Sequence, residues 1–254
     1  MQQFFAEHSW IGKDQICLSG PDVNHMKNVL RMKPGEDVRI SDGSGKVWLC
    51  CVNRYEEGKA VLDVFRSLDS DTELPSRLYL FQGLPKGDKM EWIVQKAVEL
   101  GASCVVPFAA KRSVVKLDEK KGAKRRERWQ AIAKSAAEQS GRGRIPEVES
   151  VTTFAGALKL AETLDVLLIP YELEKGMAET ARVIGEIRPG QSVGIFIGPE
   201  GGFEAEEVEQ ARRAGAHPIS LGKRILRTET AGLTALSVLM YHLETKAAGE
   251  APAD

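Results

Sequence analysis

Residues 197–204, with the sequence IGPEGGFE, form a glycine-rich segment between an apolar run and a helix-like run. Glycines let the backbone approach a ligand closely, and such a turn often binds phosphate. The segment matches neither common phosphate-binding pattern, G-x-G-x-x-G or G-x-x-x-x-G-K-[ST]. Carboxylates in and after the turn would also repel an anion; they belong to Glu200, Glu204, Glu206 and Glu207. The loop therefore favours a neutral or cationic ligand, and a tight turn that binds nothing is the competing interpretation.

A second glycine-bearing loop, LGKRILRTETAGL over 221–233, also follows a strand-like run. In an open α/β sheet, ligands bind outside the carboxyl ends of the strands, so two such loops could form one pocket. Ile225 and Leu226 would stack against a flat ring, whose edge the backbone groups would read.

Charged residues at the start of the last predicted helix would lie at the mouth of this pocket. Arg224 and Arg227 are the basic side chains there, and Thr228 is the predicted N-cap of the helix. An ion pair of Arg227 with Glu229 or with another carboxylate is the competing interpretation for that arginine.

The cysteines and histidines do not predict a metal site. No C-x-x-C pair occurs and no histidine has metal-ligand spacing, so the four cysteines are read as idle thiols in a reducing compartment: Cys17, Cys50, Cys51 and Cys104. The amino-terminal residues lack the features of a secretory signal, and no apolar run approaches the ~20 residues of a membrane span. We therefore expect a cytoplasmic protein with no metal and no membrane partner.

Basic residues are concentrated in one segment of a chain whose net charge is only −1. Residues 111–144 contain twelve Lys/Arg and four Asp/Glu, so the segment carries +8 and the rest of the chain −9. This pattern indicates a local contact with an anionic partner. A solvated helix face explains it equally well.

The pattern of elements predicts two domains. Residues 1–70 alternate short β-like runs with turn signals and contain one short helical piece near 21–31, which is typical of a small β-barrel. The polar stretch 69–76 is the predicted boundary. We therefore divide the chain into a first domain over 1–72, a second over 73–246 and a tail over 247–254.

From residue 77 onward, strands alternate with helices, which predicts an α/β domain with a mainly parallel sheet. Near-continuous apolar runs at 165–170 and 192–197 are typical of strands covered on both faces. Helices are expected over 86–101, 123–140, 203–214 and 228–244, and a strand over 217–222. Trp129 shares an apolar stripe with Ile132 and Ala136 and is therefore expected in the core rather than stacked on a base.

Several motifs in a fixed order resemble one family across nearly the whole chain. They are LPKGDKMEWIVQKAVELGA, KRSVVK, RWQAIAKSAAEQSGR, GPEGGF and LGKRILRTETA. Together they resemble the bacterial small-subunit ribosomal RNA uridine-N3 methyltransferases of the SPOUT superfamily. Near the amino end, HMKNVLRMKPGEDVRISDGSG resembles the PUA-like RNA-binding domain of that family. The resemblance implies a trefoil-knotted α/β domain preceded by a PUA-like β-barrel, and a homodimer.

The resemblance also implies S-adenosyl-L-methionine as the cofactor, which agrees with a loop unsuited to phosphate. The family's cofactor-binding positions correspond here to three loops: Ile169 and Tyr171 in the first, Gly198, Glu200, Gly201 and Gly202 in the second, and Leu221, Gly222, Ile225 and Leu226 in the third.

The implied reaction is methylation of N3 of a specific uridine in 16S ribosomal RNA, within the small subunit or a late assembly intermediate. Uridine N3 is a weakly acidic imide, so the site should offer a base or a cation that stabilises the anion. Arg227 is the expected cation, and either Glu229 or Glu172 accepts the proton. The expected RNA contacts are Arg31, Lys86, Lys89, Lys96, Arg112, Lys116, Arg125, Arg128 and Arg224.

Two positions depart from the family pattern. Gln3 stands where relatives usually have an arginine, which puts one RNA contact in doubt, and Lys223 stands where proline is common. A catalytically inactive RNA-binding assembly factor of the same fold is the alternative function. A nucleotide hydrolase is a further alternative, although the chain lacks the lysine of the phosphate-binding pattern.

Overall fold

The computed structural model describes residues 1–115, 118–172 and 176–250. Backbone contacts divide these residues into two units. The first contains Met1–Glu73 together with Ala137–Ile145, and the second contains Leu74–Ala136 and the chain from Pro146 onward. Each unit has its own sheet and its own buried core.

The first unit is built on a five-stranded sheet with the order β1-β3-β4-β5-β2. Its elements are β1 (Gln2–Phe5), β2 (Gln15–Ser19), α1 (Pro21–Asn24), β3 (Asp37–Ser41), β4 (Lys46–Glu56) and β5 (Lys59–Asp69). β1 is parallel to β3, and the other pairs are antiparallel. The short predicted helix is α1 followed by a π-helical turn over His25–Val29.

Gln3 has a structural role within this unit. Its side chain is buried in β1, and its Nε2 donates a hydrogen bond to the carbonyl of Arg142 at 2.7 Å. Because a buried amide needs such a partner, this contact accounts for glutamine at the position.

The second unit contains a sheet of parallel strands in the order β12-β10-β11-β6-β7-β8, with β9 paired to β7. Its strands are β6 (Arg77–Gly83), β7 (Ala102–Ala109), β8 (Glu147–Val148), β9 (Thr152–Thr153), β10 (Val166–Pro170), β11 (Ser192–Ile197) and β12 (Ala216–Ile219). Its helices are α2 (Lys89–Glu99), α3 (Glu119–Gln139), α4 (Phe154–Ala161), α5 (Ala178–Glu186), α6 (Ala205–Arg213) and α7 (Thr228–Glu250). The last residues of α3 belong to the first unit.

Aromatic packing fixes the central strands of this sheet. All six residues of β11 are buried, as the apolar run predicts for a strand covered on both faces. Phe196 of β11 stacks on Phe81 of β6 with ring centroids 4.3 Å apart. Phe108, Phe154 and Phe203 join the same cluster, so the strand that leads into the glycine-rich loop is anchored on its neighbours.

The structure confirms the mainly parallel sheet and the core position of Trp129, whose side chain is buried. It corrects several helix limits. α2 begins at Lys89 rather than at 86, and α7 continues to Glu250 rather than ending at 244, because alanines and lysine after 244 are strong helix formers. α4 and α5 had not been predicted: each is short and contains a glycine, so its periodic signal is weak. Within the described residues, no helix is long and apolar enough to cross a membrane.

Candidate functional site

One cavity of about 510 Å³ lies at the carboxyl ends of β10, β11 and β12. Its walls come from the three segments that follow these strands, namely 170–172, 197–203 and 220–228, together with Lys89 and Ala231. Parallel strands end at one edge of a sheet, so segments distant in sequence meet there. The volume is within the range of small-molecule sites.

Nine of the ten predicted cofactor residues line this cavity: Tyr171, Gly198, Glu200, Gly201, Gly202, Leu221, Gly222, Ile225 and Leu226. The exception is Ile169, whose side chain is fully buried in the aromatic core. Successive side chains of a strand point to opposite faces, and it is the next residue, Pro170, that lines the cavity.

The glycines of the two loops serve two different purposes. Gly202 has φ +68° and Gly222 has φ +105°, a region that side chains rarely adopt. Gly201 is instead close to Arg112, since an added Cβ would lie 3.0 Å from that side chain. Gly83 at the end of β6 is a further close approach, because its Cβ would lie 2.7 Å from Pro199.

Lys89 joins two carboxylates at the edge of the cavity. Its Nζ lies 2.9 Å from Oε1 of Glu200 and 3.5 Å from Oε2 of Glu229. Burial alone would raise the pKa of Glu200, but hydrogen bonds from Lys89 and from the backbone lower it below the ordinary value. The hydrogen bond to Glu200 in turn raises the pKa of Lys89.

The acidic start of α6 is used in local contacts. Glu204 and Glu207 form a capping box, in which each side chain accepts a hydrogen bond from the other's backbone N–H. Arg112 Nε lies 2.8 Å from Glu204, and Lys111 pairs with Glu206. The first-turn N–H groups that bind phosphate at other helices are therefore partly satisfied by the chain itself.

A buried hydrogen-bond chain links three elements behind the cavity. Gln82 Nε2 donates to Thr228 Oγ1 at 2.9 Å, and Thr228 Oγ1 donates to the carbonyl of Gly198 at 2.6 Å. Thr228 had been predicted as the N-cap of the last helix. It is instead the first residue of α7, and its hydroxyl joins Gln82 to the glycine-rich loop.

Two of the three predicted catalytic residues line the cavity and the third does not. Arg227 and Glu172 line the cavity and are exposed, whereas Glu229 does not line it and contacts Lys89. Among the ion pairs of the described residues, Glu229 is joined to Lys89 and not to Arg227. The competing interpretation of Arg227 as the partner of Glu229 is therefore wrong.

The predicted RNA-binding residues make several different kinds of contact. Lys89 and Arg224 line the cavity, and Arg112 donates from Nη1 to the carbonyl of Gly201 at 2.9 Å. The backbone N–H of Lys86 donates to Glu200, while Lys96 pairs with Glu99 and Arg128 with Glu91. Arg31 and Arg125 are exposed, and Arg31 has φ +55°. Lys116 lies outside the described residues.

Sequence reasoning missed two contributors to the site. Lys89 was predicted only as an RNA contact and not as part of the cavity, and Gln82 was not singled out. The sequence at the end of β6 could have identified both Lys89 and Gln82. β6 ends in QGLPKGDK directly beside β11, so its carboxyl end had to reach the same edge of the sheet.

No cysteine is among the residues that line the cavity. Burial raises the pKa of Cys50 and of Cys104 to about 12, so neither is a reactive thiolate near neutral pH. In the described part of the chain, no three His, Cys, Asp or Glu side chains are grouped to hold a metal ion.

Two family models match the chain. Residues 72–240 match an RNA methyltransferase domain, and residues 18–65 match an RNA methyltransferase PUA domain. The chain is 40% identical to the ribosomal RNA small subunit methyltransferase E of Bacillus subtilis, over 96% of this chain and 98% of that protein. The same-named protein of Synechocystis is 35% identical, over 91% and 74% respectively.

The chain is also similar to solved structures of methyltransferases. A ribosomal RNA small subunit methyltransferase E from Neisseria gonorrhoeae, bound to S-adenosyl methionine, superposes with a TM-score of 0.83 at 33% identity, covering 95% of this chain and 97% of that one. A Legionella pneumophila methyltransferase in complex with the same cofactor has a TM-score of 0.84 at 32% identity, covering 94% and 96%.

The ion pair at Lys89 predicts a pKa change that can be measured without any ligand. In Lys89→Met, Glu200 keeps its partial burial but loses its strongest favourable contact, so its pKa rises. In the wild type the pair is therefore fully formed above the ordinary pKa of glutamate and lost as the pH falls through the lower pKa of folded Glu200. Carboxyl carbon NMR titration measures both values.

Lys121→Met is the matched control, since it removes an exposed ion pair with Asp118 that does not line the cavity. The pKa of Glu200 should be the same in this variant as in the wild type. An unchanged pKa in Lys89→Met would show that Lys89 does not hold Glu200 in solution.

Proposed function

The chain belongs to the RNA methyltransferase family, in the branch of ribosomal RNA small subunit methyltransferase E, and from this premise we propose that it transfers a methyl group from S-adenosyl-L-methionine to N3 of a uridine in 16S ribosomal RNA. The observation that carries the proposal is the cavity formed by the segments at the carboxyl ends of β10, β11 and β12, two of which contain glycines. A cytoplasmic location follows from such a substrate.

The residues of this cavity fit the cofactor. Leu221, Ile225 and Leu226 give an apolar wall for a flat base, and Ile225 is 86% exposed, which leaves its surface free for a ligand. The capping box at α6 removes donors that a phosphate would need, and the cofactor has no phosphate. Lys89 and Glu200 add one charge of each sign.

When bound, S-adenosyl-L-methionine supplies a methyl group that is already activated on a sulfonium, so the chain has mainly to position the acceptor and to manage its proton. Arg227 lines the cavity and has no ion pair among the described residues. We propose that Arg227 contacts one of the two uracil carbonyl oxygens that flank N3. There its positive charge stabilises the anion formed when N3 loses its proton.

Glu172 is the better candidate for the proton acceptor. It lines the cavity and is exposed, so it can reach a base that enters from solvent. Glu229 does not line the cavity and is only 16% exposed beside Lys89.

RNA binding is assigned to the basic residues outside the cavity and to the first unit. Exposed pairs such as Arg128 with Glu91 contribute little stability, so these side chains can exchange a carboxylate for a phosphate at small cost. We keep the proposed domains as residues 1–72 for RNA binding and 73–246 for methyl transfer. The PUA-domain match over 18–65 supports the first. The first residues of the proposed tail over 247–254 belong to α7, which continues to Glu250.

A homodimer and a trefoil knot at α7 complete the proposal, both implied by the family resemblance. Exposed apolar side chains on α2 and α7 support a second copy as partner, namely Trp92, Val238 and Tyr241. Tyr241 is 71% exposed, and its substitution by glutamate is expected to shift the sedimenting species from dimer to monomer. Leu160→Glu, at an exposed apolar residue on α4, is the matched control. A wild-type monomer at micromolar concentration would contradict the dimer.

The two candidate bases can be separated by activity. Glu172→Gln is expected to lower kcat by about a hundredfold, the usual range for loss of a general base, and Arg227→Ala to lower it similarly. Glu229→Gln should retain a kcat within a few-fold of wild type. Single-turnover methylation at saturating cofactor measures the chemical step. The opposite ranking of the two glutamates would assign the proton to Glu229.

Methylation in vitro tests the function itself. Small subunits from a strain that lacks the gene are incubated with labelled S-adenosyl-L-methionine, and mass spectrometry of nuclease digests locates the methyl group, which we expect on N3 of one uridine. Binding of RNA should weaken steeply between about 50 and 200 mM salt if phosphates are contacted. Cofactor binding without methyl transfer to any ribosomal RNA would favour the inactive assembly factor.

A further inference from the structure

The cavity contains one ion pair whose two members both face the ligand space. Lys89 and Glu200 line the cavity, with Nζ and Oε1 2.9 Å apart. Their side chains are 35% and 30% exposed, so each is partly shielded and still accessible. An ion pair this accessible adds little to stability, and holding the loop therefore does not fully explain it.

The surroundings keep both charges in place. Oε1 of Glu200 also accepts from the backbone N–H of Lys86 at 3.1 Å, which fixes the carboxylate from the side of β6. Glu229 also contacts Lys89, with its Oε2 buried and 3.5 Å from Nζ. An ammonium group has three donors, so two carboxylates leave Lys89 with a donor for another acceptor.

We propose that the Lys89–Glu200 pair is the subsite for the α-amino-acid group of the cofactor, and that Glu229 positions Lys89 within it. This inference rests on the proposed function, since it needs S-adenosyl-L-methionine as ligand. The α-amino-acid group carries an ammonium and a carboxylate on one carbon. It docks with its carboxylate on Lys89 and its ammonium on Glu200, so that each charge of the ligand contacts a side-chain charge of opposite sign.

This arrangement explains why the cavity has charges of both signs. The adenine and the ribose of the cofactor are uncharged and do not require them. The apolar wall at Ile225 and Leu226 takes the adenine, and the glycine-rich loop approaches the ribose. The remaining part of the ligand is the zwitterion, and Lys89 and Glu200 form a partly exposed pair of opposite charges at the cavity edge.

Three ligands that differ only in the amino-acid part test the inference by calorimetry. S-adenosylhomocysteine has both charges, its decarboxylated analogue has only the ammonium, and 5′-methylthioadenosine has neither. Lys89→Met is expected to weaken S-adenosylhomocysteine about tenfold or more, the usual effect of losing a hydrogen bond to a charged group. The same variant should change the affinity of the other two ligands by less than threefold.

Glu200→Gln should give the complementary pattern. It is expected to weaken both S-adenosylhomocysteine and its decarboxylated analogue about tenfold, and to leave 5′-methylthioadenosine nearly unchanged. Glu229→Gln is expected to reproduce the pattern of Lys89→Met more weakly. Lys121→Met, which removes an exposed ion pair elsewhere, is the control and should leave all three affinities unchanged.

The outcomes separate this inference from the function on which it rests. If Lys89→Met weakens all three ligands equally, the pair only holds the loop in place and the inference is wrong; equal affinities in variant and wild type also overturn it. If the wild type binds none of the three ligands, the proposed function fails instead. Ligand-dependent losses in the pattern described support both.

Discussion

The site depends on one buried hydrogen-bond chain that runs from Gln82 through Thr228 to the carbonyl of Gly198. It joins the end of β6, the start of α7 and the loop after β11, three elements far apart in sequence. Gln82 is fully buried and Thr228 nearly so. Leaving one of these groups unpaired would cost about 1–3 kcal/mol, so the chain selects one relative position for the segments and forms the wall of the cavity before a ligand arrives.

Local charge compensation then decides what that wall can bind. Counting charges along the sequence suggests a loop that repels anions, because Glu200, Glu204, Glu206 and Glu207 follow one another closely. In the folded chain each has a partner, in Lys89, Arg112, Lys111 and the capping box. The capping box also satisfies one of the first-turn donors of α6 that a phosphate would need. A loop unsuited to phosphate therefore stays a prediction, now with a second physical reason beside charge repulsion.

The sequence predicted those strands and loops whose own residues carry a clear pattern. Apolar runs identified β10 and β11, and glycines beside strand ends identified the loops that line the cavity. The sequence is less informative where a side chain's direction or a distant partner decides. The side chain of Ile169 is buried in the core because successive side chains along β10 point to opposite faces, and the next residue, Pro170, lines the cavity. Lys89 was predicted as an RNA contact and not as part of the cavity, because its partner, Glu200, is 111 residues away and the periodicity of α2 does not reveal it.

The two loops that form the walls of the cavity differ in the number of buried contacts that hold them, and this difference suggests that they have different roles. The loop from Gly198 to Phe203 is fixed by Thr228, by Arg112 and by the buried ring of Phe203. The facing loop is anchored at Gly222 and Thr228, but Arg224, Ile225 and Arg227 between them are exposed. A segment with few buried contacts is ordered at low cost by a ligand. The fixed wall is therefore suited to selecting the cofactor, while the exposed wall, with its two arginines, is suited to closing on an RNA base that arrives afterwards.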